Sequence, residues 1–252
     1  MAIALGIDIG GSGIKGSLVD LSSGILIGER HRIPTPRPAL PNAIADVVAE
    51  IASKIDSSVS VACTIPGVVR HGCVFNATNL DETWEGLDAS QLLSSRLQAP
   101  VTLLNDADSA GIAEMKFGAG EDFRQTGVVM MLTFGTGIGS AIFVDGHLVP
   151  NTELGSLELD GVAAEIRARG RLRREGHLTW DEWIDRVQRY LAHVELLFSP
   201  DLIIFGGGIS LESAEFLHRL STKAKLVPAK LKNDAGIVGA ALTAVVGQGA
   251  DA

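Results

Sequence analysis

Short apolar runs separated by glycine, proline or polar residues predict a series of buried strands. They lie at residues 3–9, 17–19, 25–27, 59–63, 101–104, 128–134, 141–144 and 202–205, with a hairpin over 68–75. Apolar residues at helical spacing predict helices at 44–55, 107–117, 183–197 and 237–246. Thr179 and Glu182 have the spacing of a capping box at the start of the third helix. Strands that alternate with helices in this way are typical of an α/β protein.

Glycine-rich turns divide the chain into two similar halves. In the first half, a strand leads through clustered glycines to a second strand that ends at Asp20. Residues 132–145 repeat this order of strand, glycine turn, strand and aspartate. A repeat of this kind predicts two α/β domains that face each other across a cleft. The alternative is that two unrelated glycine hairpins look alike, but the matching order of the later elements favours a duplication.

The overall charge argues against nucleic acid and acidic membranes as partners. The 252 residues carry 30 acidic and 21 basic side chains, a net charge of −9, and 46% of them are hydrophobic. This length and composition predict one or two folded domains. A chain with this net negative charge lacks the basic surface that binding to a polyanion requires. Ten basic residues, however, lie in the stretches 162–175 and 219–232, which carry +3 and +5 and leave −17 for the rest. Each stretch is either a solvated surface or a local positive path that could hold an anion.

Cysteine content and the N-terminal sequence exclude further classes. The two cysteines, Cys63 and Cys73, do not form the C-x-x-C pair of a cysteine-based zinc site. The chain shows neither the basic start of a signal peptide nor an apolar run of about 18 residues. We therefore expect a cytoplasmic protein without a structural zinc and without a membrane segment.

The first glycine loop is a candidate phosphate site. Residues 11–16 spell G-x-G-x-x-G, but the strand that follows them excludes a dinucleotide site, which requires a helix there. Lys15 can add a point charge, and Asp8 is placed to hold Mg²⁺ through water. The backbone N–H groups at the tip can cradle a phosphate; the tip consists of Gly10, Gly11, Ser12 and Gly13. The simpler alternative is a tight hairpin with no ligand.

A second glycine loop and an Asn-Asp pair extend this chemistry. The loop contributes Thr133, Gly135, Thr136 and Gly137 as candidate phosphate-binding residues. Asn105 and Asp106 stand between a strand end and a helix start, where open α/β sheets bind their ligands. Both residue types are common helix N-caps, which is one interpretation. The other is a general base that accepts the proton of a sugar hydroxyl as it attacks a phosphoryl group.

Four motifs together resemble the ROK sugar kinases: DIGGSGIK at 8–15, LNDAD at 104–108, TFGTGIG at 133–139 and ELG at 153–155. More narrowly, residues 151–155, 161–165, 198–200 and 233–241 resemble the actinobacterial polyphosphate glucokinases and glucomannokinases. The resemblance implies an actin/hexokinase-like (ribonuclease H-like) ATPase fold with a cleft between two lobes. The lobes would be residues 1–108, joined by the C-terminal helix 236–252, and residues 109–235.

The resemblance also implies a reaction and the residues that perform it. A phosphoryl group moves from inorganic polyphosphate or ATP, with Mg²⁺, to the 6-hydroxyl of glucose, with Asp106 as the base. Sugar hydroxyls are held by Asn79, Asn105, Asp106, Glu153, Ser156 and Glu165. A nucleotide packs on Gly206, Gly207 and Gly208. The basic stretches add a polyphosphate path at Arg171, Arg173, Arg174 and Lys223.

The chain departs from the family at two points. It lacks the cysteines of the family's zinc site, as the polyphosphate subgroup does, and it has Ser156 where that subgroup usually has histidine. Because serine is smaller and keeps only a short hydroxyl, we expect mannose, the C2 epimer of glucose, to be accepted as well.

Three other functions are alternatives to this kinase. The runner-up is an ATP-only ROK hexose or N-acylmannosamine kinase. An actin-like structural or chaperone ATPase would share the glycine loops without needing Asp106 or Glu165. A sugar-responsive repressor would need a DNA-binding segment ahead of the first strand, which is predicted to start at Ile3. We expect a monomer or a homodimer.

Overall fold

The computed structural model describes residues 2–55, 59–77 and 79–244. Its main strands are β1 (Ile3–Ile9), β2 (Ile14–Asp20), β3 (Leu26–Ile33), β4 (Ser60–Ile65), β5 (Val68–Arg70), β6 (Cys73–Phe75), β7 (Val101–Asn105), β8 (Val128–Phe134), β9 (Ile138–Val144), β10 (His147–Val149), β11 (Glu158–Leu159), β12 (Val162–Ala163), β13 (Leu202–Gly206) and β14 (Lys225–Pro228). The α-helices are α1 (Pro41–Ser53), α2 (Ala89–Leu97), α3 (Asp106–Phe117), α4 (Ala164–Ala168), α5 (Gly170–Arg174), α6 (Trp180–Phe198), α7 (Ser213–Phe216) and α8 (Ala235–Ala244).

The chain divides into two compact units. Unit 1 comprises the residues up to Ala113 together with those from Asp234 onward, and unit 2 comprises Glu114–Asn233. Each contains a five-stranded mixed sheet, in the order β3-β2-β1-β4-β7 in unit 1 and β10-β9-β8-β13-β14 in unit 2. The two sheets have the same strand arrangement. In each, the first three strands form an antiparallel meander, and the next two strands run parallel to the first. The predicted structural repeat is therefore confirmed.

The core of unit 1 lies between its sheet and α1. Ile7 and Ile9 of β1 are fully buried against a cluster that includes Ile44, Val48 and Ile51 of α1. The helix positions follow the predicted apolar spacing, and Pro41 occupies the start of the helix, where its missing N–H has no consequence. Apolar burial of this extent stabilises the unit at about 25 cal/mol per Å².

Helix α8 packs on β1 and β4 of the same unit, and glycines permit the close contact. A Cβ on Gly6 would overlap the carbonyl of Ile237, and a Cβ on Gly239 would overlap the carbonyl of Ser109. The predicted closing helix is confirmed as far as Ala244, and its residues 245 and 246 lie outside the described residues.

Aromatic side chains dominate the core of unit 2. Phe134 of β8 stacks on Phe205 of β13 with ring centroids 4.3 Å apart, and Trp183 of α6 meets both rings edge-on. The capping box at the start of α6 is present, since Thr179 and Glu182 each bond to the other's backbone N–H. No helix in the described part of the chain is long and apolar enough to cross a membrane.

Candidate functional site

Three parallel strands of unit 1 end at the same edge of the sheet. β4 lies between β1 and β7, with Asp8 opposite Thr64 and Ile65 opposite Asn105 in the register. The loops that follow these strands therefore begin side by side at the carboxyl edge, where open α/β sheets bind ligands. The first glycine loop follows β1, and Asp106 follows β7.

Asn105 caps helix α3. Its Oδ1 accepts hydrogen bonds from the backbone N–H groups of Ala107 and Asp108, at 2.8 and 3.0 Å. Its Nδ2 donates to the carbonyl of Gly67 at 3.0 Å, and the residue is only 4% exposed. The cap interpretation is thus confirmed. Because a side-chain amide has two N–H donors, one donor is left for a ligand.

Asp106 is the first residue of α3 and is half-buried. The two residues that follow it are held by the capping bonds to Asn105, so the Asp106 carboxylate projects from the fixed first turn of α3 at the carboxyl edge. Asn79 lies against the first glycine loop, since its Cβ is 3.6 Å from the position that a Cβ on Gly11 would take. Gly67 therefore lies at the Asn105 amide, and Asn79 lies at the first glycine loop.

Asp8 and Lys15 form an ion pair below the first glycine loop. Lys15 Nζ donates to Asp8 Oδ2 at 3.0 Å, and Thr64 Oγ1 donates to Asp8 Oδ1 at 3.2 Å. The Asp8 side chain is 15% exposed and faces Gly236 in α8, where a Cβ would lie 3.1–3.4 Å from its carboxylate. A carboxylate therefore already offsets the positive charge of Lys15.

Three residues that sequence reasoning missed hold the first glycine loop. Thr35, Arg37 and Arg32 donate to successive loop carbonyls. The sequence carries one signal for them, a cluster of basic residues after the loop, but only the pairing of β2 with β3 brings that cluster back to the glycines.

The second glycine loop joins β8 to β9 in unit 2. Gly135 donates its N–H to the carbonyl of Gly137 at 3.0 Å, and the carbonyl of Gly135 accepts from the N–H of Arg171 at 3.0 Å. The loop is therefore tied to α5. Thr136 at its tip is exposed, and Thr133 is half-buried at the end of β8.

The backbone of Ile138 contacts two segments that carry predicted sugar-binding residues of unit 2. Its N–H donates to Glu165 Oε2 at 3.3 Å, and its carbonyl touches Gly155, where a Cβ would overlap it. Glu153 and Ser156 flank Gly155 and are exposed. Glu153 and Ser156, which are close in sequence, and Glu165 thus lie around the start of β9 beside the second glycine loop.

Tyr190 lies close to this group and is fully buried. Burial, reinforced by the Glu165 carboxylate, raises the pKa of its hydroxyl. The hydroxyl has no hydrogen-bond partner within the described ranges. Of the acidic, histidine and cysteine side chains in those ranges, no three form a group that could hold a metal ion.

The turn Gly206–Gly208 follows β13 and packs on the end of β8. Gly207 has φ +80°, and a Cβ there would meet the backbone of Phe134 at 2.5–2.7 Å, so only glycine fits. Gly208 faces Arg174, whose guanidinium lies 2.9 Å from the position of a Cβ. The exposed Arg174 therefore covers this turn.

The structure separates the four residues of the predicted polyphosphate path. Arg171 and Arg174 lie beside the second glycine loop and Gly208, and Arg173 lies 4.5 Å from the centre of the Trp180 ring. Lys223 precedes β14, whose first residue pairs with Leu202 at the amino end of β13. The three arginines are thus at the carboxyl edge of the sheet, and Lys223 is at the opposite edge.

Comparisons with known proteins agree with this arrangement. The ROK family profile matches residues 4–160. The chain is 46% identical over 241 residues, 95% of its length and 90% of the other, to a polyphosphate glucokinase of Mycobacterium tuberculosis (strain CDC 1551 / Oshkosh).

Solved structures give the same result. The crystal structure of the inorganic polyphosphate/ATP-glucomannokinase from Arthrobacter sp. strain KM superposes with a TM-score of 0.93 at 47% identity, covering 98% of this chain and all of the other. A ROK family glucokinase from Streptomyces griseus, at 23% identity and a TM-score of 0.78, covers 95% and 98% and shares the fold. That fold is the actin/hexokinase-like ATPase fold, and the chain belongs to the ROK family.

Proposed function

We propose that the protein is a sugar kinase that moves a phosphoryl group from inorganic polyphosphate or ATP to the 6-hydroxyl of glucose and mannose. The observation that carries the proposal is the 46% identity, along 95% of the chain, to a protein named polyphosphate glucokinase. The likeness to a polyphosphate/ATP-glucomannokinase supports the same donors and sugars.

Asp106 acts as the general base in this proposal. As the sugar 6-hydroxyl attacks the terminal phosphorus, the new O–P bond forms, the P–O bond to the remaining donor breaks, and the hydroxyl proton passes to the Asp106 carboxylate. The position of Asp106 at the start of α3 supports this role, because the Asn105 side chain fixes the backbone of the two residues that follow Asp106. Positioned general bases contribute roughly 10²–10⁴-fold to the rate.

In this proposal the sugar hydroxyls are held by Asn79, by the remaining N–H of Asn105, and by Glu153, Ser156 and Glu165. Glu165 is held in place by the N–H of Ile138, which leaves its other carboxylate oxygen as an acceptor for a sugar hydroxyl. Ser156 is exposed and short, which supports acceptance of the axial 2-hydroxyl of mannose.

The two glycine loops bind the donor phosphates in this proposal. Mg²⁺ fits beside the first loop: the Asp8 carboxylate accepts one hydrogen bond on each oxygen, so lone pairs remain on both. Since Mg²⁺ keeps several waters and needs only one or two carboxylates beside substrate phosphates, Asp8 would hold it through water. When bound, the ion neutralises charge on the donor. With ATP as donor, the nucleotide packs on Gly206–Gly208.

The path for a longer polyphosphate chain follows Arg171, Arg173 and Arg174. These residues lead from the second glycine loop past the Gly208 turn, and planar guanidinium groups bind phosphate oxygens in pairs. Lys223 is not part of this path, because it stands at the opposite edge of the sheet.

Sugar phosphate formation tests the proposal. We would supply glucose, mannose or N-acetylmannosamine with either ATP or polyphosphate to the wild-type protein, to Asp106→Ala and to Asp122→Ala. Asp122 is an exposed carboxylate in the turn after α3 and serves as the matched control.

We expect glucose and mannose 6-phosphates from both donors in the wild type and in Asp122→Ala. Asp106→Ala should lose activity by roughly 10²–10⁴-fold. Retained turnover in Asp106→Ala would refute the mechanism. Activity with ATP alone, or with N-acetylmannosamine in place of glucose, would support the ATP-only hexose or N-acylmannosamine kinase instead.

A further inference from the structure

We propose that Arg32, Thr35 and Arg37 are positioning residues that hold the first glycine loop in its phosphate-binding conformation. The proposal rests on the kinase function above. Arg32 lies at the end of β3, and the other two lie on the link to α1. All three residues are more than a strand length away from the first glycine loop in sequence. The antiparallel pairing of β2 with β3 places them next to that loop.

Three successive carbonyl groups of the loop accept hydrogen bonds from these side chains. Thr35 Oγ1 donates to the carbonyl of Gly10 at 2.5 Å. The Arg37 guanidinium donates to the carbonyl of Gly11 at 2.6 Å, and the Arg32 guanidinium donates to that of Ser12 at 3.2 Å. The three peptide units at the tip of the loop are therefore fixed from one side.

This pattern decides where the loop N–H groups point. In a trans peptide the C=O of one residue and the N–H of the next lie in one plane and point in opposite directions. The N–H groups of Gly11, Ser12 and Gly13 therefore point away from residues 32–37. None of the three donates to an acceptor in the described parts of the chain. Three such donors on one side form an anion-binding surface.

The anchoring explains the glycine at position 13. Its φ is not in the left-handed region, so backbone conformation does not require glycine there. A Cβ on Gly13, however, would lie 2.8–2.9 Å from three atoms of the Arg32 guanidinium. A side chain at position 13 would therefore displace the Arg32 guanidinium from its contact with the loop. Glycine-rich loops have many accessible conformations, so side-chain anchors reduce the entropy lost when a ligand binds.

The same residues supply charge to the loop. Arg32 and Arg37 are exposed and form no ion pair with a described carboxylate, whereas Lys15 is offset by Asp8. Arg30, two residues before Arg32 on the same strand, pairs with Asp234 at 2.7 Å instead. Two unpaired positive charges behind the loop favour an anion in front of it.

The variants Arg32→Ala, Arg37→Ala and Thr35→Val each remove one anchor. Arg32→Lys and Thr35→Ser restore a donor at the same place. Arg30→Ala is the matched control, because it removes a positive charge from the same strand without touching the loop. For each protein we would measure kcat, the KM for polyphosphate, ATP and glucose, and the Kd of tripolyphosphate by calorimetry, after checking that Tm is unchanged.

We expect each anchor variant to raise the KM for both donors and the Kd of tripolyphosphate by about three- to tenfold, as loss of one hydrogen bond predicts. The KM for glucose should stay within about twofold, because the sugar does not use this loop. Thr35→Ser should match the wild type, Arg32→Lys should recover part of the loss, and Arg30→Ala should bind tripolyphosphate as the wild type does.

The proposal fails if the anchor variants bind tripolyphosphate normally, if Arg30→Ala loses as much affinity as Arg32→Ala, or if the KM for glucose rises in parallel with that for the donors. An inactive wild-type protein would refute the kinase function instead. The Kd of tripolyphosphate would then still decide whether the three residues hold an anion-binding loop.

Discussion

Glu114 and Leu231, 117 residues apart, are joined by a hydrogen bond of 2.7 Å from the Leu231 N–H to Glu114 Oε1. The other oxygen of the carboxylate accepts from the N–H of Ala119 at 2.8 Å, and the side chain is fully buried. Glu114 is the first residue of unit 2, and Leu231 lies just before its last, Asn233. One carboxylate therefore ties together the two ends of the chain segment that forms unit 2.

Replacing this carboxylate by an amide should destabilise the protein. In Glu114→Gln, one oxygen becomes an NH₂ group that faces a backbone N–H, so a buried donor loses its acceptor. We expect a loss of about 1–3 kcal/mol in the free energy of unfolding, measured by urea denaturation. Glu121→Gln, at an exposed carboxylate that pairs with Arg124, is the control and should change it by less than about 1 kcal/mol. Equal effects of the two substitutions would contradict the role of Glu114.

Ser156→His should change sugar selection. Ser156 is exposed beside Glu153, and an imidazole there fills the space that the proposal leaves for the axial 2-hydroxyl of mannose. We expect the ratio of kcat/KM for mannose to that for glucose to fall by about tenfold, the effect of roughly 1.4 kcal/mol. Ser156→Ala, which adds no bulk, is the control. An unchanged ratio in Ser156→His would show that this position does not select the sugar.

The polyphosphate path predicts a salt-dependent loss. Arg173→Ala combined with Arg174→Ala should raise the KM for long-chain polyphosphate by about three- to tenfold at low salt, while the KM for ATP stays nearly constant. The loss should shrink as salt is added, because screening weakens the contribution of both arginines in the wild type. Lys223→Ala is the matched control at the other edge of the sheet. Equal losses with both donors, or an equal loss in Lys223→Ala, would exclude a dedicated path.

Two glycines of the second loop should differ in how well they tolerate substitution by alanine. A Cβ on Gly137 would collide with the Glu165 carboxylate, whereas a Cβ on Gly135 meets no atom within 4 Å. We expect Gly137→Ala to lower the free energy of unfolding by about 1–3 kcal/mol, as overpacking does, and Gly135→Ala to change it by less than about 1 kcal/mol. Thermal and urea denaturation measure both. A change of less than about 1 kcal/mol in Gly137→Ala as well would mean that the Glu165 carboxylate moves aside freely.

The two cysteines should react at different rates. Burial raises the pKa of the Cys63 thiol to about 12, while Cys73 is half-buried. Because the thiolate is the reactive form, we expect iodoacetamide at pH 8 to label Cys73 and to leave Cys63 unmodified. Mass spectrometry of the intact protein and of its peptides measures this, and labelling in guanidinium chloride, where both thiols should react, is the control. Fast labelling of Cys63 in the native protein would contradict its burial.

Local patterns were sufficient to predict the elements and the main motifs. The hairpins around both glycine loops, the capping box at Thr179 and the helix start near Asp106 depend on residues close in sequence, whose apolar period and turn chemistry can be read directly. The repeated order of strands also follows from sequence, because each half repeats the same local signals. The resemblance to the ROK kinases rests on such short motifs as well.

The tertiary structure alone decided which distant residues meet. Thr35, Arg32 and Arg37 reach the first glycine loop only because β3 pairs antiparallel with β2. Lys223 is separated from Arg174 because β14 runs parallel to β13, which sends the residue before it to the far edge of the sheet. Local sequence determines helices, strands and turns through short-range sterics and hydrogen bonding, whereas strand order and register bring together residues that no local pattern relates.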